Sequence, residues 1–158
     1  NLHGFMHLMR EKILSQLNCK ICFTRSTLVY GSEDPHNSYG PNSFKRLAQN
    51  KKNLSIFGKG EEIRDHIFVD DIGEILARIL DKKCSGVFNL VTSKEKSFFR
   101  IAKEISIKYN VKLNSKKRFG PIPHNGMRIF SNKKLKKIMN NYKFVDVLNW
   151  ININERMK

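Results

Sequence analysis

A run of fifteen residues, Phe57 to Asp71, constrains the fold more than any other part of this chain. It reads Phe-Gly-Lys-Gly-Glu-Glu-Ile-Arg-Asp-His-Ile-Phe-Val-Asp-Asp. Gly58 and Gly60 permit a tight turn after an apolar strand predicted at residues 54–57, because glycine adopts positive φ angles without a steric penalty. The chain is therefore expected to turn sharply between two strands at this point.

The second half of this run predicts a cationic side chain close to the start of a helix. The next strand is expected to end at Val69, and Asp70 or Asp71 to supply an N-cap carboxylate for a helix over residues 72–80. Arg64 precedes that strand, and its planar guanidinium is suited to grip a phosphate group with two hydrogen bonds.

Length and composition predict one compact, soluble domain. The chain has 158 residues, of which 40% are hydrophobic and 10% are aromatic, enough for a sizeable core. No run approaches the roughly 18 to 20 apolar residues that a membrane span needs. The first residues show no basic segment followed by an apolar one, so we expect no secretory signal and a cytoplasmic location.

The cysteines and histidines do not predict a metal site. Cys19, Cys22 and Cys84 make an odd count, which does not indicate a disulfide framework. Cys19 and Cys22 have the spacing of a redox or zinc motif, but side chains three residues apart in a predicted strand point to opposite faces. Buried structural cysteines are the favoured interpretation, because a second Cys-x-x-Cys pair and a zincin-type glutamate between histidines are both missing from the sequence.

The charge balance raises the hypothesis of an anionic partner. Lysine and arginine number 30 against 14 acidic residues, which gives a formal net charge of +16. Such an excess is typical of proteins that bind nucleic acid. Most phenylalanines, however, fall at core-like positions rather than among the basic residues as stacking platforms. A solvated basic face that attracts anionic substrates is favoured, and a non-catalytic basic module that binds nucleic acid or an acidic partner is the alternative.

Hydrophobic periodicity alternates along the chain between the spacing of helices and that of strands, which indicates an α/β fold. Helices are predicted near the start and at residues 43–50, 97–105, about 131–139 and about 145–154. Strands are predicted at residues 20–24, 54–57 and 86–91, with a weak strand after residue 111. A long polar loop is predicted at residues 31–42, and loops of this length usually carry function.

Several of these segments together resemble the extended short-chain dehydrogenases/reductases, the family of NAD(P)-dependent sugar-nucleotide epimerases and dehydratases. The run 57–71 is similar to the family signature G-x-G-x-x-x-R-D-x-x-x-V-x-D. Residues 25–31, Arg-Ser-Thr-Leu-Val-Tyr-Gly, resemble the R-x-x-N-V-Y-G-P segment at the nicotinamide end of the family's cofactor pocket. Residues 34–44 are similar to its substrate loop, and residues 124–131 to the segment that carries a second phosphate-binding arginine.

The resemblance implies a set of substrate-binding residues. Arg64 and Arg128 would hold the diphosphate of a nucleotide sugar from two sides, with Tyr39 and Asn42 at the rim of the same site. Taken singly, each of these residues can equally be an exposed cation or a loop-stabilising side chain. Their order along the chain favours the binding role.

The resemblance also implies where catalysis and cofactor binding would lie. The tyrosine and lysine of the family's Tyr-x-x-x-Lys pair correspond to His3 and His7. An imidazole pair can serve as an altered acid/base couple because it titrates near neutral pH; lost catalysis and simple helix packing are the alternatives. His7, Arg25 and Thr27 take the family's cofactor-binding positions.

The family's N-terminal G-x-x-G-x-x-G turn has no counterpart in this sequence. We therefore expect the C-terminal part of a Rossmann-like parallel sheet (about 1–30 and 64–91), interleaved with a small mixed α/β substrate-binding lobe (about 31–63 and 92–158). The expected ligand is a nucleotide sugar, and the isolated chain is expected to be inactive and to bind neither NAD nor NADP. A truncated reading frame, a split subunit with its missing half in trans and a degenerate remnant are the alternatives; a full-length protein is expected to be a homodimer.

Overall fold

The computed structural model describes residues 2–32, 34 and 39–153 and shows a mixed α/β architecture built largely from parallel strand pairs. The α-helices of this part of the chain are α1 (Leu2–Leu14), α2 (Pro41–Gln49), α3 (Val69–Asp81), α4 (Phe98–Tyr109), α5 (Lys133–Ile138) and α6 (Val147–Asn152). The strands are β1 (Cys22–Ser26), β2 (Leu28–Tyr30), β3 (Leu54–Phe57), β4 (Ile63–Arg64), β5 (His66–Phe68), β6 (Gly86–Leu90), β7 (Lys96–Ser97), β8 (Leu113–Lys116) and β9 (Met127–Arg128).

Two parallel pairs lie end to end. β1 pairs with β6, and β2 pairs with β5. Thr27 separates β1 from β2, and Asp65 separates β4 from β5. The Thr27 hydroxyl donates a hydrogen bond to the Asp65 carbonyl over 2.8 Å, so the two breaks lie side by side and are tied together.

The remaining strands bring two arginines into register. β3 pairs with β8 in parallel, while β4 lies between antiparallel β7 and parallel β9. In the β4–β9 pair, Arg64 is opposite Arg128. Side chains in register on neighbouring strands point to the same face of a sheet, so the two arginines that the sequence singles out belong to one face.

The interior divides into two apolar clusters. The first lies among α2, β3, α4 and α6, and its members include Phe44, Leu54, Ile101, Ile105 and Trp150. The second lies among β5, α3, β6 and α5, and its members include Ile67, Ile75, Phe88, Leu90 and Leu135. α5 thus packs on the second cluster, next to elements that precede it by many residues.

Local sequence signals place most elements correctly. The strand predicted at residues 54–57 is β3, the strand at 86–91 is β6, and the helix at 97–105 is α4, whose N-cap Ser97 accepts a hydrogen bond from the Arg100 N–H. Gly58 and Gly60 have φ angles of 59° and 65°, as a tight turn requires.

The predicted N-cap of α3 is wrong. α3 begins at Val69, and its N-cap, Phe68, makes no side-chain capping bond. The Asp71 carboxylate instead accepts hydrogen bonds from the Tyr142 hydroxyl (2.8 Å) and the Val145 N–H (3.0 Å). Asp71 is buried, so its carboxylate serves to attach α3 to the C-terminal segment.

The first helix and strand are only partly covered. None of the residues of α1 is buried, although it carries the large apolar side chains Leu2, Phe5, Met6, Leu8, Met9, Ile13 and Leu14. Among the described residues β1 pairs only with β6, which leaves its other edge unpaired. Cys19, predicted to be buried, is exposed because the strand begins three residues later, at Cys22. Within the described ranges no helix is long and apolar enough to cross a membrane.

Candidate functional site

A cleft of about 440 Å³ opens beside β1, β4 and β9. Its lining residues are Arg25, Ser26, Thr27, Leu28, Arg64, Asn89, Arg128 and Phe130. Among these described residues the charged side chains are all arginines. The cleft is therefore an electropositive cavity with hydroxyl and amide groups beside its cations, a lining suited to an anionic, polar ligand.

Arg128 presents its guanidinium openly to this cleft. A short turn at Pro123–Gly126 leads into β9, and His124 and Asn125 within it have positive φ angles of 55° and 51°. Arg128 is exposed, and its guanidinium carbon lies 5.3 Å from the ring centre of Phe130. This distance is within the range of a cation–π contact. In the described part of the chain, Arg128 forms no ion pair, so its N–H groups are available to a ligand.

Arg64 is held quite differently. It is 7% exposed. Its Nη1 donates to the carbonyls of Ile63 (2.8 Å) and Gly126 (3.2 Å). Its Nη2 donates to Glu62 Oε2 (2.6 Å) and to the Pro123 carbonyl (3.3 Å). Arg64 thus reaches the cleft wall while its terminal N–H groups fasten the turn that leads to Arg128.

Asp65 fixes the backbone next to Arg64. It is buried, and its carboxylate accepts hydrogen bonds from the N–H groups of Thr92 (2.7 Å) and Ser93 (3.0 Å) and from the Thr92 hydroxyl (2.5 Å). A buried carboxylate with three donors is well satisfied. These bonds connect the break between β4 and β5 to the segment that follows β6.

Arg25 is neutralised within the chain. Its Nε donates to Glu11 Oε1 over 2.8 Å, and its Nη2 bonds the other oxygen of the same carboxylate. This fork-shaped ion pair lowers the pKa of Glu11. The pair attaches α1 to β1, and it leaves Arg128 as the more available cation of the cleft.

His3 and His7 come together, as their spacing predicts, but not at the cleft. Their Nε2 atoms are 3.2 Å apart and their rings are perpendicular, with centres 4.6 Å apart. Both lie on the exposed helix α1, and neither is among the described residues that line the cleft.

Tyr39 and Asn42 are not among the described residues that line the cleft either. The Asn42 amide donates to Asp34 Oδ2 over 3.0 Å and supports the loop before α2. The Tyr39 hydroxyl accepts a hydrogen bond from the Phe57 N–H over 3.3 Å. Residues 35–38 of the predicted substrate loop lie outside the described residues. In this arrangement both side chains stabilise loop structure.

Comparison with known proteins connects this geometry to a family. Residues 5–90 match the family model described as NAD dependent epimerase/dehydratase family. The chain belongs to the NAD-dependent epimerase/dehydratase family.

One curated relative is similar to this chain in sequence, and solved structures are similar to it in fold. The chain is 31% identical, over 65% of its length and 17% of the relative's, to the trifunctional UDP-glucose 4,6-dehydratase/UDP-4-keto-6-deoxy-D-glucose 3,5-epimerase/UDP-4-keto-L-rhamnose-reductase of Arabidopsis thaliana. Its fold is similar to ADP-L-glycero-D-manno-heptose-6-epimerase of Helicobacter pylori, with a TM-score of 0.74, 23% identity, and coverage of 96% of this chain and 49% of that one. It is also similar to UDP-glucuronic acid 4-epimerase of Bacillus cereus, solved with UDP-glucuronic acid and NAD, with a TM-score of 0.73, 17% identity, and coverage of 87% and 45%.

This chain spans about half the length of these solved structures and less than a fifth of the length of the curated relative. Its Rossmann-like fold, with parallel strand pairs and a mixed α/β lobe, is as the sequence predicts.

The described residues at the family's cofactor positions all have partners within the chain. Arg25 is paired with Glu11, and the Thr27 hydroxyl with the Asp65 carbonyl. The ring of His7 contacts that of His3. A dinucleotide's pyrophosphate is ordinarily held by a glycine-rich turn at a helix N-terminus, and the sequence has no G-x-x-G-x-x-G turn.

Four lining residues of the cleft were not predicted as site residues: Ser26 and Leu28, which flank Thr27, and Asn89 and Phe130. Asn89 lies on β6 between the buried residues Phe88 and Leu90, and its amide donates to the Ser131 carbonyl over 3.3 Å. A single amide within an apolar strand is a usable signal that one face of the strand is not core. Phe130 follows Arg128 by two residues, the spacing that places extended side chains on one face.

Proposed function

We propose that this chain is the substrate-binding half of an NAD(P)-dependent nucleotide-sugar epimerase or dehydratase, and that its cleft binds the diphosphate of a nucleoside diphosphate sugar. One observation carries the proposal: Arg64 and Arg128, in register on β4 and β9, line a single cationic cleft. Arginine is the usual donor to phosphate because its planar N–H groups match two oxygens at once.

In this proposal Arg128 is the phosphate donor that needs no exchange of partners, and Arg64 is the second donor. Its guanidinium is exposed and has no ion-pair partner among the described residues, whereas Arg25 is neutralised by Glu11. Asn89 and Ser26 supply amide and hydroxyl groups to the same cleft, suited to the hydroxyl groups of a sugar or ribose. Arg64 contributes charge at the cleft wall and holds the turn before β9. Tyr39 and Asn42 act on the ligand only through the loop that they stabilise.

The chain by itself is proposed to be inactive, with the nucleotide cofactor bound by a second α/β segment. The polar groups at the family's cofactor positions have partners within this chain. The unpaired edge of β1 and the uncovered apolar residues of α1 suit contact with such a segment, supplied in the same polypeptide or in trans. His3 and His7 are exposed on α1 and are proposed to pack against each other there without carrying out catalysis.

Calorimetric titration with UDP and UDP-glucose tests the proposed site. Arg128→Ala is expected to weaken binding by about tenfold or more, the size of one charge-assisted hydrogen bond. Arg100→Ala is the matched control, because Arg100 is exposed on α4 and pairs with Glu104 outside the cleft. Equal affinities of the two variants for UDP would contradict the assignment of the cleft as the phosphate-binding site.

A titration with NAD tests the second half of the proposal. No binding to the isolated chain is expected at concentrations that saturate UDP binding. Micromolar binding of NAD would show that a cofactor site exists within these residues.

A second candidate function rests on Phe119. Its side chain is 89% exposed, and it follows Lys116, Lys117 and Arg118. An exposed aromatic ring in a basic segment is a feature of proteins that bind single-stranded nucleic acid. Binding of a single-stranded oligonucleotide that is lost in Phe119→Ala, with UDP binding absent, would favour this function over the nucleotide-sugar site.

A further inference from the structure

Glu62 lies between two arginines behind the cleft. Its carboxylate oxygen Oε2 is 2.6 Å from Arg64 Nη2, and its other oxygen, Oε1, is 2.5 Å from Arg118 Nη1. The side chain of Glu62 is 10% exposed, and those of Arg64 and Arg118 are 9% and 16% exposed. One carboxylate is therefore shared by two largely buried guanidinium groups.

Glu62 is the buried anion that pairs with both arginines among the described residues, while the exposed Glu61 adds a more distant negative charge near Arg118. A buried cation needs an anion or several acceptors, because burial removes its solvation by water. Arg118 Nε is buried and has no hydrogen-bond partner among the described residues. Arg128, one strand away, adds a further positive charge on the cleft side. Without Glu62, the buried pair of arginines would demand an anion from outside.

Glu62 also occupies the donor that a phosphate would use. The terminal N–H groups of Arg64 donate to Glu62 and to three carbonyl groups, and of these acceptors only Glu62 is charged. A charge-assisted bond of this length is stronger than the neutral ones. A phosphate in the cleft therefore competes with the Glu62 carboxylate for Arg64.

We propose that Glu62 is an internal counter-ion that lowers the affinity of the cleft for phosphate-bearing ligands by holding Arg64. This inference rests on the proposed function, since the competing ligand is the diphosphate of the nucleotide sugar. When a diphosphate enters, Arg64 exchanges the carboxylate for phosphate oxygens, and Arg118 keeps Glu62 paired. Glu62 thus sets the affinity of the site without touching the ligand.

The test is a calorimetric titration of the full chain with inorganic pyrophosphate and with UDP. Glu62→Gln is expected to bind both ligands about tenfold more tightly than the unchanged chain, because the competing charge is removed. Glu61→Gln is the control for net charge; Glu61 is adjacent and exposed, accepts a hydrogen bond from the Lys59 N–H and attracts Arg118 at a distance, but within the described residues it makes no bond to Arg64. We expect its affinity to stay within about twofold, since water screens an exposed charge.

Glu62→Asp covers the case in which Glu62→Gln does not fold. Aspartate keeps the charge but is one methylene shorter, so it cannot span both arginines, and an intermediate gain in affinity is expected. Circular dichroism and thermal unfolding in the titration buffer identify which variants are folded.

The possible outcomes separate the two proposals. Binding by the unchanged chain with no gain in either Glu62 variant, or with a loss, overturns the role of Glu62 and leaves the cleft assignment intact. Binding that appears only in the Glu62 variants supports the counter-ion and refutes nucleotide-sugar binding by the native chain. Absence of binding in all variants overturns both.

Discussion

His66 lies in surroundings that change its acid–base chemistry. It is 3% exposed on β5, its ring lies edge-on to that of Phe98 with centres 5.8 Å apart, and neither ring nitrogen has a hydrogen-bond partner among the described residues. Burial therefore lowers the pKa of His66 to about 4. The imidazole is neutral in the folded chain at physiological pH.

This shift predicts a loss of stability in mild acid. An unfolded histidine titrates near pH 6.5, so between about pH 6.5 and pH 4 the unfolded chain binds a proton that the folded chain does not. The free energy of unfolding should fall by up to about 3 kcal/mol as the pH is lowered through this window. Urea unfolding at pH 7, 5.5 and 4.5 measures it. His66→Phe should flatten the dependence, and an unchanged pH slope in that variant would assign the effect to other groups.

Asp65 leads to a prediction about the backbone beside the cleft. Asp65→Asn removes the charge that accepts these three hydrogen bonds and turns one acceptor oxygen into an NH2 group, for which only the Thr92 hydroxyl can become an acceptor. The free energy of unfolding should fall by about 1 to 2 kcal/mol, because charge-assisted hydrogen bonds become neutral ones. The exposed Asp70→Asn serves as the control and should change it by about 0.5 kcal/mol. Similar losses in the two variants would contradict the structural role of Asp65.

Among the elements, those with local signals are the ones that could be predicted from the sequence. β3 is a short apolar run closed by a glycine turn, and Ser97 caps α4. The cap predicted for α3 fails because tertiary contacts recruit Asp71 to Tyr142, which periodicity cannot show. The family resemblance predicts that Arg64 and Arg128 share one site, but it does not show that the N–H groups of Arg64 already donate to acceptors within the chain.

The turn between β3 and β4 has its own test. A Cβ atom on Gly60 would lie 2.8 Å from the backbone N of Phe99 and 2.9 Å from Cδ1 of Ile56, at a φ angle of 65°. Gly60→Ala should therefore reduce the free energy of unfolding by about 3 kcal/mol, from left-handed strain and overpacking together. At Gly58 the nearest atoms belong to the flexible side chain of Glu61, so Gly58→Ala should cost only about 1 kcal/mol. If Gly58→Ala and Gly60→Ala lowered the free energy of unfolding equally in denaturant unfolding, the contact of Gly60 with α4 would not explain the loss.

On the scale of the whole molecule, the two apolar clusters are well buried while α1 contributes nothing to either. The spacing of apolar residues in α1 predicts a helix correctly, but periodicity alone does not show what covers a helix face. An exposed apolar helix of this kind marks a surface that other protein covers or that associates nonspecifically.

Substitutions on α1 should separate solubility from stability. The double variant Phe5→Ser/Ile13→Ser removes two side chains that are 58% and 64% exposed. It should reduce self-association in sedimentation velocity and change the free energy of unfolding by less than about 0.5 kcal/mol. Ile101→Ala, which truncates a fully buried side chain of α4, should lose about 3 kcal/mol. A large loss of stability from the α1 variant would mean that α1 is packed in solution.

The parallel pairing of distant strands has a consequence for how the chain is made. Cys22 pairs with Gly86, Leu54 with Leu113 and Arg64 with Arg128, so each strand waits for a partner that the ribosome has yet to synthesise. Such long-range pairing is slow, because loop-closure entropy is lost before native contacts compensate. The strand β1 stays unpaired until β6 has been synthesised, and the walls of the cleft can meet only after β9 has left the ribosome. In that interval chaperones or premature association with other chains would act first.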